Sequence, residues 1–136
     1  MGTLLESGEQ VTMRISAQLL HGHDMTEPSY DAPEGYRPIP VYRGELILTD
    51  KQLLFVEQQG ESPSWLSIPY GAIARVRPSQ TQLLNYLVVW DADGHPDSFI
   101  VGRGDVSALH REVGQALAKR PPGSHASTRH FVSSDK

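Results

Sequence analysis

The chain has 136 residues, of which 38% are apolar and 21% charged, and a formal net charge of −4. This length suits one hydrophobic core, whereas two domains would each have too little. The absence of cysteine excludes disulfides and zinc–thiolate sites, and the negative charge disfavours nucleic acid as the main partner.

The amino-terminal region shows no targeting signal. Residues 1–16 carry acidic residues early and lack a long apolar run, so a secretory signal peptide is not expected. Nowhere do about 18 apolar residues follow one another, so a membrane-spanning helix is not expected either. With the absence of cysteine, these features favour a cytoplasmic protein, either free or peripheral to a membrane.

The first part of the chain predicts strands joined by polar turns. Alternating apolar residues indicate a strand over residues 10–20, and residues 21–42, with four prolines, form a long loop. The polar turn at residues 49–52 lies between two apolar runs, as in a β-hairpin. Further strands are predicted over residues 65–69, 72–77, 83–90 and 98–102.

Two irregular points are predicted between the later strands. Ile73 and Val76 have opposite parity, and a regular strand cannot bury both, so a turn or bulge is expected near residues 71–73. Asp93-Gly94 is typical of a hairpin apex.

The pattern becomes helical after residue 104. Apolar residues follow the spacing of one helix face at Val106, Leu109, Val113 and Leu117. Asp105 suits the start of this helix, and the two prolines at 121–122 end it. Residues 121–136 are small, polar and aperiodic, which predicts a disordered tail after a single domain over residues 1–120.

Several motifs in this order resemble GRAM and related bacterial PH-like domains of the pleckstrin-homology superfold. Residues 44–55 resemble the hairpin pattern G-x-L-x-L-T-x-x-x-L-x-F. Gly8-Glu9, after Leu4, resembles the lead-in L-x-x-G-E, and residues 67–76 resemble s-I-P-x-x-x-I-x-x-V. The resemblance implies a mainly β fold, in which a C-terminal helix caps a seven-stranded curved antiparallel sheet or partly open barrel. The Pro-rich segment 21–42 departs from the family pattern.

Aromatic residues near the loops are candidates for a protein interface, because aromatic side chains are enriched at binding hot spots. The alternative is that the tyrosines pin the long loop onto its own barrel. The candidates are Tyr30, Tyr36, Tyr42 and Trp65.

Basic residues on the predicted strands offer a second kind of site, for anionic lipid headgroups, since Arg and Lys bind phosphates. Four acidic residues of the 21–42 loop would oppose such a site, and solvated strand-face arginines are the simpler interpretation. The candidates are Arg14, Arg43, Lys51, Arg75 and Arg77.

Motifs for metal binding or catalysis are weak or missing. His21-Gly22-His23-Asp24 has metal-ligand residue types but no identifiable distant partner, and residues 91–97 fit a turn better than a calcium loop. No catalytic motif is recognised, so no cofactor and no metal are predicted. The sequence therefore predicts a non-catalytic module that binds protein, self-association included. The alternative is a peripheral membrane module that binds anionic lipid.

Overall fold

The predicted succession of short strands and one helix is present in the computed structural model, which describes residues 8–22, 41–57, 64–80, 84–119 and 130–132. A short 3-10 helix over Tyr70–Ala72 joins the fourth and fifth strands. The other elements are β1 (Val11–His21), β2 (Tyr42–Thr49), β3 (Gln52–Glu57), β4 (Trp65–Pro69), β5 (Ile73–Gln80), β6 (Asn85–Asp91), β7 (Pro96–Ile100), α1 (Asp105–Lys119) and β8 (His130–Val132).

The strands form one antiparallel sheet in the order β5-β6-β7-β1-β2-β3-β4-β8. β1 is the longest strand. It pairs with β2 over residues 11–19 and with β7 over residues 18–21. β1 therefore joins β5, β6 and β7 on one side of it to β2, β3, β4 and β8 on the other. The two end strands of the sheet are β5 and β8.

The predicted hairpin is formed by β2 and β3. Leu46 lies opposite Phe55 and Leu48 opposite Leu53, and all four side chains are buried. Thr49 closes the turn, because its Oγ1 accepts hydrogen bonds of 3.0 Å from two backbone N–H groups, those of residues 51 and 52. The threonine of the motif therefore has a role in turn geometry.

The main core lies between the inner face of the sheet and α1. Val106, Leu109 and Val113 of α1 are fully buried against the sheet, as their helical spacing predicts. Phe55 and Phe99 meet in this core with ring centroids 6.3 Å apart. Full burial of one such side chain stabilises the folded state by about 1.5–3 kcal/mol.

A second apolar cluster lies on the opposite face of the sheet. It contains Tyr86, Val88 and Trp90 of β6, with Ile100 of β7 packed against them. These residues alternate with Leu87 and Val89, which belong to the main core. β6 is consequently apolar on both faces, which explains its nearly continuous apolar sequence.

The irregular entry into β5 occurs where the parity argument predicts it. The 3-10 helix ends at Ala72, and the pairing of β5 with β6 shifts register between Ile73 and Arg75. This bulge lets both Ile73 and Val76 pack in the main core. The Asp93-Gly94 apex is also confirmed, since Gly94 has φ +86° and its N–H donates to the Asp91 carbonyl at 3.0 Å.

The carboxyl-terminal segment departs from the sequence prediction. Residues 121–136 are predicted to be disordered, but His130–Val132 form β8, an antiparallel partner of β4. The prediction is wrong at these three residues, because pairing with a strand edge some sixty residues earlier leaves no local pattern. The rest of that tail, and residues 23–40 of the Pro-rich segment, lie outside the described residues.

α1 is the one α-helix among the described residues, and neither its length nor its apolarity would let it cross a bilayer.

Candidate functional site

The five basic candidates are spread over the sheet. Arg14 lies on the outer face of β1, with its Nη1 3.4 Å from Glu45 Oε1. Arg43 lies near the start of β2 and Lys51 beyond its end, about 20 Å apart along the strand. Arg14 is 55% exposed, so its ion pair contributes little stability, but Glu45 offsets its charge.

The other two basic candidates lie on β5. Arg75 and Arg77 are exposed and share one face of this strand. The Arg75 guanidinium carbon lies 4.0 Å from the centroid of the Trp90 ring, a cation–π geometry. Three strands separate β5 from β2, about 19 Å along the sheet. The described candidates therefore form at least two separate groups.

The aromatic candidates also separate. Tyr42 is half-buried at the start of β2 and packs against the main core. Trp65 is half-buried on β4, in register with Val56 of β3 and Val132 of β8. Tyr30 and Tyr36 lie outside the described residues.

The outer edge of β5 is poorly suited to receive another strand. The Val101 N–H donates to the Asn85 carbonyl at 2.9 Å, so the backbone groups of Asn85 face β7. Because these groups alternate along an antiparallel strand, residues 86, 88 and 90 face β5 and pair there with residues 79, 77 and 75. In β5, the residues whose backbone N–H and C=O groups point away from β6 are then Val76, Pro78 and Gln80.

Pro78 stands in the middle of this outer edge and has no backbone N–H to donate. Proline at such a position is a common protection against edge-to-edge pairing. Gln80 beside it is tied to α1, since its Nε2 donates to Ser107 Oγ at 2.9 Å. A shallow cleft of about 410 Å³ lies between this end of β5 and α1, lined by Pro78, Ser79, Gln80, Ser107, His110 and Arg111.

The outer edge of β4, in contrast, receives a strand. The Glu57 N–H donates to the Ser64 carbonyl at 2.8 Å, so Ser64 faces β3. By the same alternation, Trp65 and Ser67 direct their backbone groups away from β3 and toward β8. In β8 they meet Val132 and His130, respectively. This edge therefore offers two residues for backbone pairing before Pro69 ends the strand.

A buried polar network holds β4 and the hairpin turn in place. Gln52 Nε2 donates to Glu9 Oε2 at 2.9 Å, and the hydroxyl of Ser67 donates to Gln52 Oε1. Thr49, which is 1% exposed, donates its hydroxyl to the same oxygen of Glu9. The Tyr70 hydroxyl donates to the Thr49 carbonyl at 2.7 Å. Two residues of the sequence motifs, Glu9 and Thr49, thus contact each other.

Tyr70 is the described residue whose titration is clearly perturbed. Burial in this network raises the pKa of its phenol well above the ordinary value, with smaller contributions from the carboxylates of Asp50, Glu112 and Glu9. The phenol therefore stays protonated and keeps donating its hydrogen bond at all ordinary pH values. Glu9, Gln52, Ser67 and Tyr70 were not singled out as interacting residues from sequence. Glu9 and Ser67 occupy specified motif positions, whereas Gln52 and Tyr70 stand at unspecified ones and carried no sequence signal.

The residues with metal-ligand chemistry are engaged in local structure. Ligand atoms of Asp91, Asp93 and His95 lie within 4.8 Å of one another. Asp91 Oδ1, however, accepts the backbone N–H groups of Asp93 and His95 at 2.9 Å each, which closes the turn. His21 Nδ1 lies 2.7 Å from Asp97 Oδ1, a contact that joins β1 to β7.

No protein-family model matches the chain, and no curated protein matches it in sequence. Among solved structures, it is similar to the "C-terminal domain of an unknown protein from Leishmania infantum", with TM-score 0.61 and 15% identity over 83% of this chain and 88% of the other. It is also similar to the "Vps36 N-terminal PH domain", with TM-score 0.60 and 18% identity over 84% and 83% of the two chains. The fold is therefore PH-like.

Proposed function

We propose that this chain is a non-catalytic, PH-like binding module that acts through protein–protein interaction, and that it binds an extended protein segment along the outer edge of β4. The observation that carries the proposal is the pairing of β8 with this edge. PH-like folds typically act by binding, which supports a non-catalytic role. The motif at residues 44–55 supports the narrower GRAM-type assignment, and the lack of cysteine supports a cytoplasmic location.

Backbone pairing would supply part of the affinity and side chains the rest. A strand added to a sheet edge gains main-chain hydrogen bonds, each worth about 0.5–1.5 kcal/mol net. Two residues of β4 face this edge, so backbone pairing alone gives modest affinity. The position of Trp65 supports a side-chain contribution from that residue. Tyr30, Tyr36 and Tyr42 stay proposed interface residues.

The polar network around Gln52 suits an edge that must accept a strand without deforming. Ser67 faces the incoming strand with its backbone, and its hydroxyl is fixed by Gln52. Gln52 is in turn fixed by Glu9 at 2.9 Å. An edge held in its bound geometry loses less entropy when a partner docks, which strengthens binding.

The test uses the full chain with His130→Pro and Val132→Pro, which remove the two N–H groups of β8 that face β4. A labelled synthetic peptide of residues 126–136 is titrated against this variant by fluorescence anisotropy, and circular dichroism checks that the variant is folded. We expect saturable binding to the variant and binding weaker by about tenfold or more to the unaltered chain, whose edge is occupied. The matched control is the same peptide with both prolines, which should not bind. A folded variant that binds neither peptide at roughly 1 mM would contradict the proposal.

The second candidate function, binding of anionic lipid headgroups, is favoured by one observation. Arg75 and Arg77 are exposed on the same face of β5, and Trp90 orients Arg75. Two such guanidinium groups can bind one phosphate group. Arg14, Arg43 and Lys51 would add to this site only from other parts of the sheet, so we rank lipid binding second.

A further inference from the structure

We propose that β8 is exchanged between two copies of this chain, so that residues 130–132 of each copy pair with β4 of the other. The inference rests on the proposed strand-binding edge and names its partner as a second copy of the chain. The closed form of the structure, in which β8 pairs with its own β4, is then one of two arrangements with the same backbone pairing.

The position of β8 in the chain permits this exchange. α1 ends at Lys119 and β8 begins at His130, so ten residues connect them. Ten residues can span up to about 33–36 Å when extended. A connection of this reach can deliver the strand to the edge of its own molecule or to that of a neighbouring copy.

The two arrangements are close in energy because the exchanged strand makes the same pairs. In both, His130 and Val132 face Ser67 and Trp65. Opening the closed form breaks the three-residue pairing of β8 with β4, and exchange restores that pairing twice in a dimer. The β8 strand of the same molecule competes for the β4 edge at an effective concentration of the order of millimolar. Exchange between copies should therefore increase with protein concentration.

The other end of the sheet favours a closed dimer over open assembly. Pro78 interrupts the N–H groups along the outer edge of β5, so this edge does not continue strand pairing from one molecule to the next. Reciprocal exchange fills both β4 edges of a dimer and leaves no further acceptor of this type. Reciprocal exchange within a closed dimer is therefore the expected product.

Pairs of introduced cysteines test the exchange, because the native chain has none. Chains with Ser67→Cys are mixed with chains with His130→Cys at high concentration, since these two positions lie opposite each other across β4 and β8. Disulfide-linked heterodimers are quantified after mild oxidation. The control replaces the second chain with Gln115→Cys, an exposed position on α1. The doubly substituted chain, Ser67→Cys with His130→Cys, reports pairing within one molecule.

We expect heterodimers joined through positions 67 and 130 to exceed the control pair by about tenfold, and to decrease on dilution. Equal yields from both pairs, with the doubly substituted chain linking internally, would overturn the exchange and leave the strand-binding edge intact. If the folded chain with both substitutions forms no disulfide, within one molecule or between two, the pairing register of β4 and β8 is wrong. That result would overturn both proposals. Binding of the peptide in the preceding experiment, without heterodimers here, would show that the edge accepts a strand but that copies do not exchange.

Discussion

Gly44, the first residue of the hairpin motif, should not tolerate a side chain. A Cβ built on Gly44 would lie 1.9 Å from the Val56 carbonyl oxygen and 2.8 Å from the Glu57 Cα. Both neighbours are backbone atoms of β3, which cannot rotate away as the end of a flexible side chain could. We therefore expect Gly44→Ala to force β2 and β3 apart at this point.

The expected cost follows from the severity of the overlap. Inserting a methyl group into a well-packed site typically costs 1–3 kcal/mol, and a contact of 1.9 Å with the backbone lies at the severe end. We expect Gly44→Ala to reduce the free energy of unfolding by at least about 2 kcal/mol. In a chain of this size that reduction lowers Tm by roughly 6 °C or more.

Gly114 provides a matched control for the same substitution. It lies exposed in α1, and a Cβ there would meet no atom within 4 Å. Gly114→Ala should raise stability by roughly 0.5–1 kcal/mol, because alanine favours the helix more than glycine does. Both variants are compared with the unaltered chain by urea unfolding followed by tryptophan fluorescence. Equal stability of Gly44→Ala and the unaltered chain would refute the close approach of β2 and β3.

Two further predictions concern the polar network and the second candidate function. Tyr70→Phe removes the hydrogen bond to the Thr49 carbonyl and should cost about 1–2 kcal/mol in urea unfolding at pH 8. Folding raises the pKa of Tyr70. The stabilising contribution of its protonated phenol is therefore fully present below the unfolded-state pKa of about 10 and is lost as pH rises through the folded-state pKa. The free energy of unfolding should consequently fall above about pH 10 more steeply in the unaltered chain than in Tyr70→Phe. An identical fall of the free energy of unfolding with pH in both proteins would rule out Tyr70 as the source of that fall. Liposome sedimentation should show no more pelleting with anionic than with neutral vesicles. Salt-sensitive anionic pelleting that Arg75→Ala with Arg77→Ala abolishes would instead establish lipid binding.

The elements that sequence reasoning found are those whose signal is local. The hairpin of β2 and β3 has apolar runs and a polar turn within one short stretch, and α1 has a clear helical spacing. The bulge before β5 followed from the parity of Ile73 and Val76, both of which the core must bury. In each case the constraint and the residues that satisfy it lie within a few positions.

The features that sequence reasoning missed depend on residues distant in the chain. β8 has three residues, and its partner β4 begins 65 positions before it. Glu9 reaches Thr49 and Gln52 from forty or more positions away. The basic candidates were grouped by residue type, whereas the fold distributes the described ones over separate strands. Local pattern carries no information on such placements.

The motifs that carried the resemblance serve the fold, and this bears on where binding specificity lies. Gly44 permits the close approach of β2 and β3, Thr49 closes their turn, and Glu9 joins that turn to Gln52. None of the three lies on the outer edge of β4, although their network supports it. Residues 130–132, which pair with that edge, lie outside the motifs that carried the resemblance. Under the proposed function, chains that share the motifs should share the acceptor edge, and the sequence of the docking strand would decide which partner binds it.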